Sequence, residues 1–287
     1  MFDYARPRTL DETFALLRDE PGARLLCGGT DLVVALRKGS AQAPLVVDLK
    51  RVADLESGIV RRDGHLRIGA RAVLSDLVAD ERVRSDFPAL VEAALVVGSI
   101  QIRHRATLAG NICNASPAAD TAPPLLIHDA IVEIVGRAGM RRVALGEFFV
   151  GPGRTALQPG ELVAAIELPA PDGPLGTAFA RMTRRRGVDL ATVNLCCSVS
   201  AAGVTRFAFG AVGPRPFLVA DETGVLAQPD GDVAGQDEAL HRLTSRATPI
   251  SNVRASREYR EAMLLVLGRR ALDVARRRLR EAQLAGA

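Results

Sequence analysis

Residues 98–120 read GSIQIRHRATLAGNICNASPAAD, and small residues, hydroxyls and short amides carry most of the stretch. Gly, Ala, Ser, Thr and Asn bury little apolar area, so such a run makes a poor core. It does let another molecule come close to the main chain, because short or missing side chains lift the steric bar. A stretch of the same character lies upstream, where residues 25–32 read LLCGGTDL. There a short apolar run ends in Gly28-Gly29 and a helical pattern follows. Strand, glycine turn and helix start in that order aim backbone N–H groups at whatever lies above the glycines. An anion fits that geometry, most simply a phosphate. An ordinary tight turn fits it as well, because the G-x-G-x-x-G and G-x-x-x-x-G-K-[ST] fingerprints are both missing. The second loop, Thr107-Leu108-Ala109-Gly110-Asn111, again combines a hydroxyl, small residues and an amide. Two donor-rich loops suit the two phosphates of a pyrophosphate. Asp120 then has two readings: a partner for sugar hydroxyls, which donate hydrogen bonds, or the cap of a helix over residues 121–128.

Outward from these loops the pattern changes along the chain. Leu10, Phe14 and Leu17 share one helical face with Thr9 as cap, and strands over residues 23–27 and 45–49 flank a helix over 31–38. From residue 58 the texture is hairpins: residues 58–62 and 66–70 around Asp63-Gly64, then 132–135 and 140–145 around Arg137-Ala138-Gly139. Helical segments over residues 74–78 and 89–97 lie between them. A strand over residues 162–168 closes the region, and PAPDGP at 169–174 reads as a linker. Strands over 191–200 and 204–212 follow. The tail from Glu258 is a helix with an apolar stripe of Leu264, Leu267, Ala271 and Val274, its opposite face carrying Arg269, Arg270, Arg276 and Arg277 as a solvated surface.

The 287 residues are 48% hydrophobic and 24% charged, the balance of a folded chain rather than a disordered one. Aromatics are 4% with no Trp, so the cores are built from Leu, Val, Ile and Ala. The net charge of +4 and the Arg184–186 and Arg276–278 runs lack the stacking aromatics of a nucleic-acid surface, which sets nucleic acid aside. No apolar run has the length of a membrane span and the first residues do not resemble a signal peptide, so a cytoplasmic location is expected. Cys27, Cys113, Cys196 and Cys197 have no metal-binding spacing, and the four histidines are scattered, which makes them surface or satisfied structural residues. G-x-S-x-G is absent, and neither a Glu–His pair nor a carboxylate pair stands out for catalysis. A bound cofactor that brings its own chemistry suits this chain better than side-chain catalysis.

LLCGGTDL followed by IQIRHRATLAGNICNASPAADTAPPLL resembles the FAD-binding (medium) subunit of the molybdenum hydroxylases. That family includes the medium subunit of aerobic carbon monoxide dehydrogenase and the flavin domain of xanthine dehydrogenase. ELVAAIELP at 161–169 is similar to the strand closing the family's flavin domain, and RASREYR at 254–260 to the opening of its C-terminal helix, so the resemblance spans nearly the whole chain. It implies an α+β fold in three parts: a small α/β subdomain (1–57), a larger α+β subdomain (58–172), and a C-terminal antiparallel sheet with helices (173–287). It also implies non-covalent FAD between the first two. Matched by position, Leu25, Leu26, Cys27, Gly28, Gly29, Thr30, Asp31 and Leu32, with Thr107, Ala109, Gly110 and Asn111, would wrap the pyrophosphate and neighbouring parts of FAD. Asp120 would hold polar atoms on the adenosine side and Val163 would make an apolar contact. Arg181 stands where a lysine often lies near the flavin, Ala109 replaces a common glycine, and Cys27 is a small apolar filler. The function implied is electron transfer: a partner small subunit with [2Fe-2S] clusters delivers electrons from a large subunit with the molybdenum cofactor, and FAD passes them to an external acceptor. The alternatives are a self-contained flavin oxidase and a flavin-free scaffold.

Overall fold

A computed structural model describes residues 2–285; residues 1, 286 and 287, the outermost positions of the two end units expected above, lie outside the described residues. The chain opens with β1 (Asp3–Ala5), α1 (Leu10–Asp19), β2 (Arg24–Leu26), α2 (Leu32–Arg37) and β3 (Leu45–Asp48). The strands form a parallel sheet in the order β1-β3-β2. Thr9 caps α1 by accepting the Glu12 N–H at 3.1 Å, which frees the apolar face of the helix to bury Phe14. Phe14, Val47, Leu49, Val52 and Leu55 share one core with Leu162 and Ala164 from much later in the chain.

The middle of the chain begins with β4 (Ile59–Arg62) and β5 (His65–Gly69). Asp63 and Gly64 both have positive φ, 50° and 75°, the two-residue turn whose twist matches a hairpin. Short helices follow: α3 (Leu74–Ala79), α4 (Glu81–Asp86), α5 (Pro88–Leu95), α6 (Ile100–Arg103), α7 (Leu108–Cys113) and α8 (Ala122–Ile127). Then come β6 (Ile131–Gly136), β7 (Gly139–Ala144), α9 (Leu145–Phe148), β8 (Phe149–Gly151), β9 (Arg154–Thr155) and β10 (Leu162–Pro169). One antiparallel sheet runs β4-β5-β10-β6-β7. Its central strand, β10, carries a bulge between Val163 and Ala165. The bulge reverses the side-chain phase: Leu162 and Ala164 enter the first core, whereas Ile166 and Leu168 enter the second. One strand thus belongs to two cores.

The remaining elements are β11 (Leu175–Met182), β12 (Val193–Ser200), β13 (Thr205–Gly210), β14 (Phe217–Asp221), α10 (Val233–Thr244) and α11 (Arg257–Ala285). The strands pair in sequence order as an antiparallel sheet. Ala178, Leu195, Cys197, Phe207 and Phe209 face α10 and α11, burying Leu240, Leu264, Leu267 and Ala271. The other face meets the middle of the chain, where Cys196 and Ala208 join the core of α5 and α8. The fold is α+β, as expected.

Several sequence-based expectations change. Residues 107–111 are a helix start rather than a loop: Thr107 caps α7 and its Oγ1 accepts the Gly110 N–H at 3.0 Å. Asp120 caps nothing, because α8 starts after Thr121 and has no side-chain cap. Arg276 is buried rather than solvated; its guanidinium donates to Leu226 O at 2.9 Å and Gln236 Oε1 at 3.0 Å. His128 is buried, but its Nε2 has no partner, so it is not a satisfied histidine. Strands β1, β8, β9, β11 and β14 and helices α4, α6, α9 and α10 went unforeseen, each being short or weakly patterned.

Candidate functional site

The two small-residue stretches meet. A Cβ built on Gly28 would lie 3.0 Å from Ala106 Cα and would overlap Arg105 O, so only glycine lets the turns touch. Leu25 and Leu26 end β2, and Leu26 anchors the turn in a small core with Val46. Cys27 Sγ lies 3.5 Å from Ala70 O, and burial raises its thiol pKa, consistent with an unreactive filler. Gly29 adopts φ +80° and turns the chain into α2. The backbone N–H groups of Gly28, Gly29, Thr30, Asp31 and Leu32 have no acceptor among the described residues. The turn is therefore a row of free donors.

On the other side, Ala106 O accepts from Leu74 N at 2.8 Å, which pins the second stretch to the middle of the chain. The Ala109 N–H at the start of α7 also lacks an acceptor among the described residues, whereas the antiparallel bridge between Val73 and Thr107 turns the Leu108 N–H toward Ala72 O. Ala109 is buried and its methyl belongs to the core of the middle of the chain. Gly110 is exposed, and a Cβ there would meet only Thr107 Oγ1, at 2.8 Å. Between the stretches lies a cavity of about 180 Å³ with Cys27 and Thr107 on its wall and Lys50, Arg71, His104 and Arg105 around it. Arg71 spends its guanidinium on two backbone carbonyls, Leu55 O at 2.5 Å and Lys50 O at 2.8 Å, and no carboxylate among the described residues neutralises its charge. Lys50 is paired with Asp48 at 2.7 Å, and it is the free N–H groups with the Arg71 and Arg105 charges that make this an anion cradle. Lys50, Arg71 and Arg105 carry no sequence signal of their own; only folding gathers them.

The line continues to Asp120. Thr121 Oγ1 donates to Asn111 Oδ1 at 2.7 Å, which leaves the Asn111 amide N–H groups as donors and ties α7 to residue 120. The Asp120 carboxylate is buried and both its oxygens are taken. Arg181 Nη1 donates to Oδ2 at 2.6 Å and Asn194 Nδ2 to Oδ1 at 2.8 Å. Burial raises the Asp120 pKa, while the Asn194 amide and the Arg181 guanidinium pull it down. The structure thus joins Arg181 and Asp120 in one ion pair. Asn194 went unnoticed in the sequence, although a polar residue inside an otherwise buried strand was a signal. Val163 sits apart from the cradle surface, 4% exposed at the β10 bulge.

Among the described residues, no group of three or more His, Cys, Asp or Glu side chains could hold a metal ion, and no helix is long and apolar enough to cross a membrane. Residues 1–171 match the family described as FAD binding domain in molybdopterin dehydrogenase, and residues 177–275 the CO dehydrogenase flavoprotein C-terminal domain. The chain belongs to this FAD-binding family. It is 31% identical to the xanthine dehydrogenase FAD-binding subunit of Escherichia coli O157:H7 over 96% of its length and 97% of the relative's. It is equally 31% identical to the carbon monoxide dehydrogenase medium chain of Afipia carboxidovorans, again over 96% and 97%. The solved structure of reconstituted CO dehydrogenase from Oligotropha carboxidovorans superimposes with a TM-score of 0.89 at 30% identity, covering 97% of this chain and 98% of that one.

The chain is therefore an FAD-binding subunit of the molybdenum hydroxylase family, an oxidoreductase component. Its own donor set fits that cofactor: free main-chain N–H groups and surplus cations suit a diphosphate, and neither requires a side-chain nucleophile.

Proposed function

We propose that this chain carries FAD as the electron-transfer subunit of a molybdenum hydroxylase complex. It takes electrons from the iron–sulfur clusters of a small partner subunit, fed by a molybdenum-bearing large subunit, and hands them to an external acceptor. Units 1–57, 58–172 and 173–287 share the work. Bound FAD would supply chemistry that this chain lacks, accepting electrons singly and releasing them in pairs.

The protein's own residues bind and orient. The N–H groups of residues 28–32 and of Ala109 would hold the diphosphate, with Thr30 adding a hydroxyl. Arg71 and Arg105 offset its charge, and Lys50 stands beside them already paired with Asp48. Leu25, Leu26 and Cys27 furnish apolar backing, Val163 makes its apolar contact within the core that carries α7, and Gly110 leaves room above α7. Asn111 and Asp120 would address polar atoms toward the adenosine, with Arg181 holding Asp120. The observation that carries the reading is the run of unsatisfied N–H groups pressed, through Gly28, against Arg105 and Ala106.

Tagged chain purified from its own cells tests this. Stoichiometric flavin absorbance, together with two co-purifying polypeptides that bear molybdenum and iron–sulfur clusters, is the expected result. Flavin on an isolated chain that turns over a substrate without partners would make it a free-standing oxidase. A colourless chain that takes up no FAD on reconstitution would end the reading.

A further inference from the structure

Asn194 pays a penalty that needs an explanation. It lies in the middle strand pair of the C-terminal sheet with 0% exposure, and its Oδ1 is buried without a partner. A buried acceptor left unsatisfied is a standing cost, and an apolar residue of similar volume would avoid it. On β12, Val193, Leu195, Cys197 and Val199 point to α10 and α11, and Asn194 points the other way, toward residues 117–120. Its neighbours in register are Arg181 on β11 and Gly210 on β13. The three form one row across three strands.

Each member of the row serves the same segment. Arg181 takes one Asp120 oxygen, and the Asn194 amide takes the other and reaches Ala118 O at 3.4 Å. A Cβ on Gly210 would overlap Asn194 Oδ1 and lie 3.2 Å from both Asn194 Cγ and Pro117 O. Glycine is required there to seat the amide and the segment together. Just beyond it, Ala211 N–H donates to Pro117 O at 2.7 Å. Residues 117–120 are thus held at three successive points by a sheet that contributes nothing to the phosphate cradle.

We infer that Asn194 is a positioning residue for the cofactor, acting through Asp120. The Arg181–Asn194–Gly210 row makes the C-terminal sheet the template that fixes the adenosine-side carboxylate. This rests on the FAD reading above. With Asn194 in place, both Asp120 oxygens are held; without it, one carboxylate oxygen loses its donor and the carboxylate can swing about Arg181.

The test is FAD titration of the flavin-stripped full chain, read by flavin fluorescence, with unfolding of the stripped chain as control. Asn194→Ala is expected to weaken FAD binding by about tenfold to a hundredfold, the range for a charge-assisted hydrogen bond whose partner stays buried. Because the effect runs through Asp120, adding Asn194→Ala to Asp120→Ala should weaken binding no further. Gly210→Ala, which touches neither Asp120 nor Arg181, should reproduce Asn194→Ala and so replaces the cycle if Asp120→Ala fails to fold. An Asn194→Ala chain that binds FAD within twofold of the unaltered protein overturns the inference and leaves the FAD reading standing. Full additivity with Asp120→Ala overturns it too, making Asn194 merely structural. If the unaltered chain binds no FAD, the FAD reading fails and takes this inference with it.

Discussion

Gly28 and Gly110 are glycines for opposite reasons. Gly28 is closed in by the backbone of Arg105 and Ala106, whereas Gly110 faces outward and has only Thr107 Oγ1 near the position of a Cβ. Gly28→Val should therefore force the two turns apart and lower stability by about 1–3 kcal/mol, as overpacking does. Gly110→Val should leave thermal unfolding of the flavin-free chain close to normal and yet abolish flavin retention. A Gly110→Val protein that purifies with full flavin occupancy would mean that the cofactor does not approach α7. His128 makes a different residue-scale prediction. Burial, with the Arg206 charge adding to it and Asp129 opposing, pushes its pKa down to about 4, and the ring packs edge-on to Phe87 at 4.8 Å. The folded protein holds it neutral, so its contribution is complete above the ordinary value near 6.5 and is lost as pH falls from there toward 4. Urea unfolding should show a stability loss of roughly 2 kcal/mol from this group between pH 7 and pH 5. His128→Leu should flatten that part of the profile; an unchanged slope would show that another group governs it.

At the scale of elements, the start of α11 is tied to the sheet by a single buried guanidinium. Arg260, 3% exposed, donates to Thr192 O, to Ala211 O at 3.0 Å and to Asn252 Oδ1 at 2.9 Å, with no carboxylate among the described residues to balance it. Arg260→Leu would leave those acceptors without donors and should cost about 3 kcal/mol, measured as a lower denaturation midpoint. Arg260→Lys should recover only part of it, because an ammonium cannot reach three acceptors with the geometry of a planar fork. A leucine variant as stable as the parent would show that water replaces the arginine. The β10 bulge works at the same scale. Its one extra residue lets a single strand serve two cores, a property that no alternation count of ELVAAIELP discloses.

For the whole molecule, the C-terminal sheet is enclosed on both faces, by α10 and α11 on one side and by α5 and α8 on the other. Polar ties cross the same boundary: Arg206 grips Asp129 through both carboxylate oxygens at 2.6 and 2.7 Å, and Glu92 of α5 meets Arg278 of α11. A chain ended at residue 172 would expose the core surface that covers Cys196 and Ala208, together with an unpaired Asp120. It should aggregate or bind a hydrophobic dye on expression. A soluble, monomeric 1–172 fragment that retains FAD with full affinity would show the sheet to be dispensable.

Local chemistry made part of this protein legible in one dimension. The Thr9 cap, the Asp63-Gly64 turn, the strand before Gly28-Gly29 and the long terminal helix each depend on residues close together in sequence, and each is present. The family resemblance rested on the same short motifs. What only the tertiary structure decided is which distant groups meet: Gly28 against Arg105, Arg71 beside the cradle, and Arg181 and Asn194 on Asp120. Those partners stand tens of residues apart. Their encounter depends on strand order, the β10 bulge and the packing of one sheet on another, and none of these leaves a periodic trace in the chain.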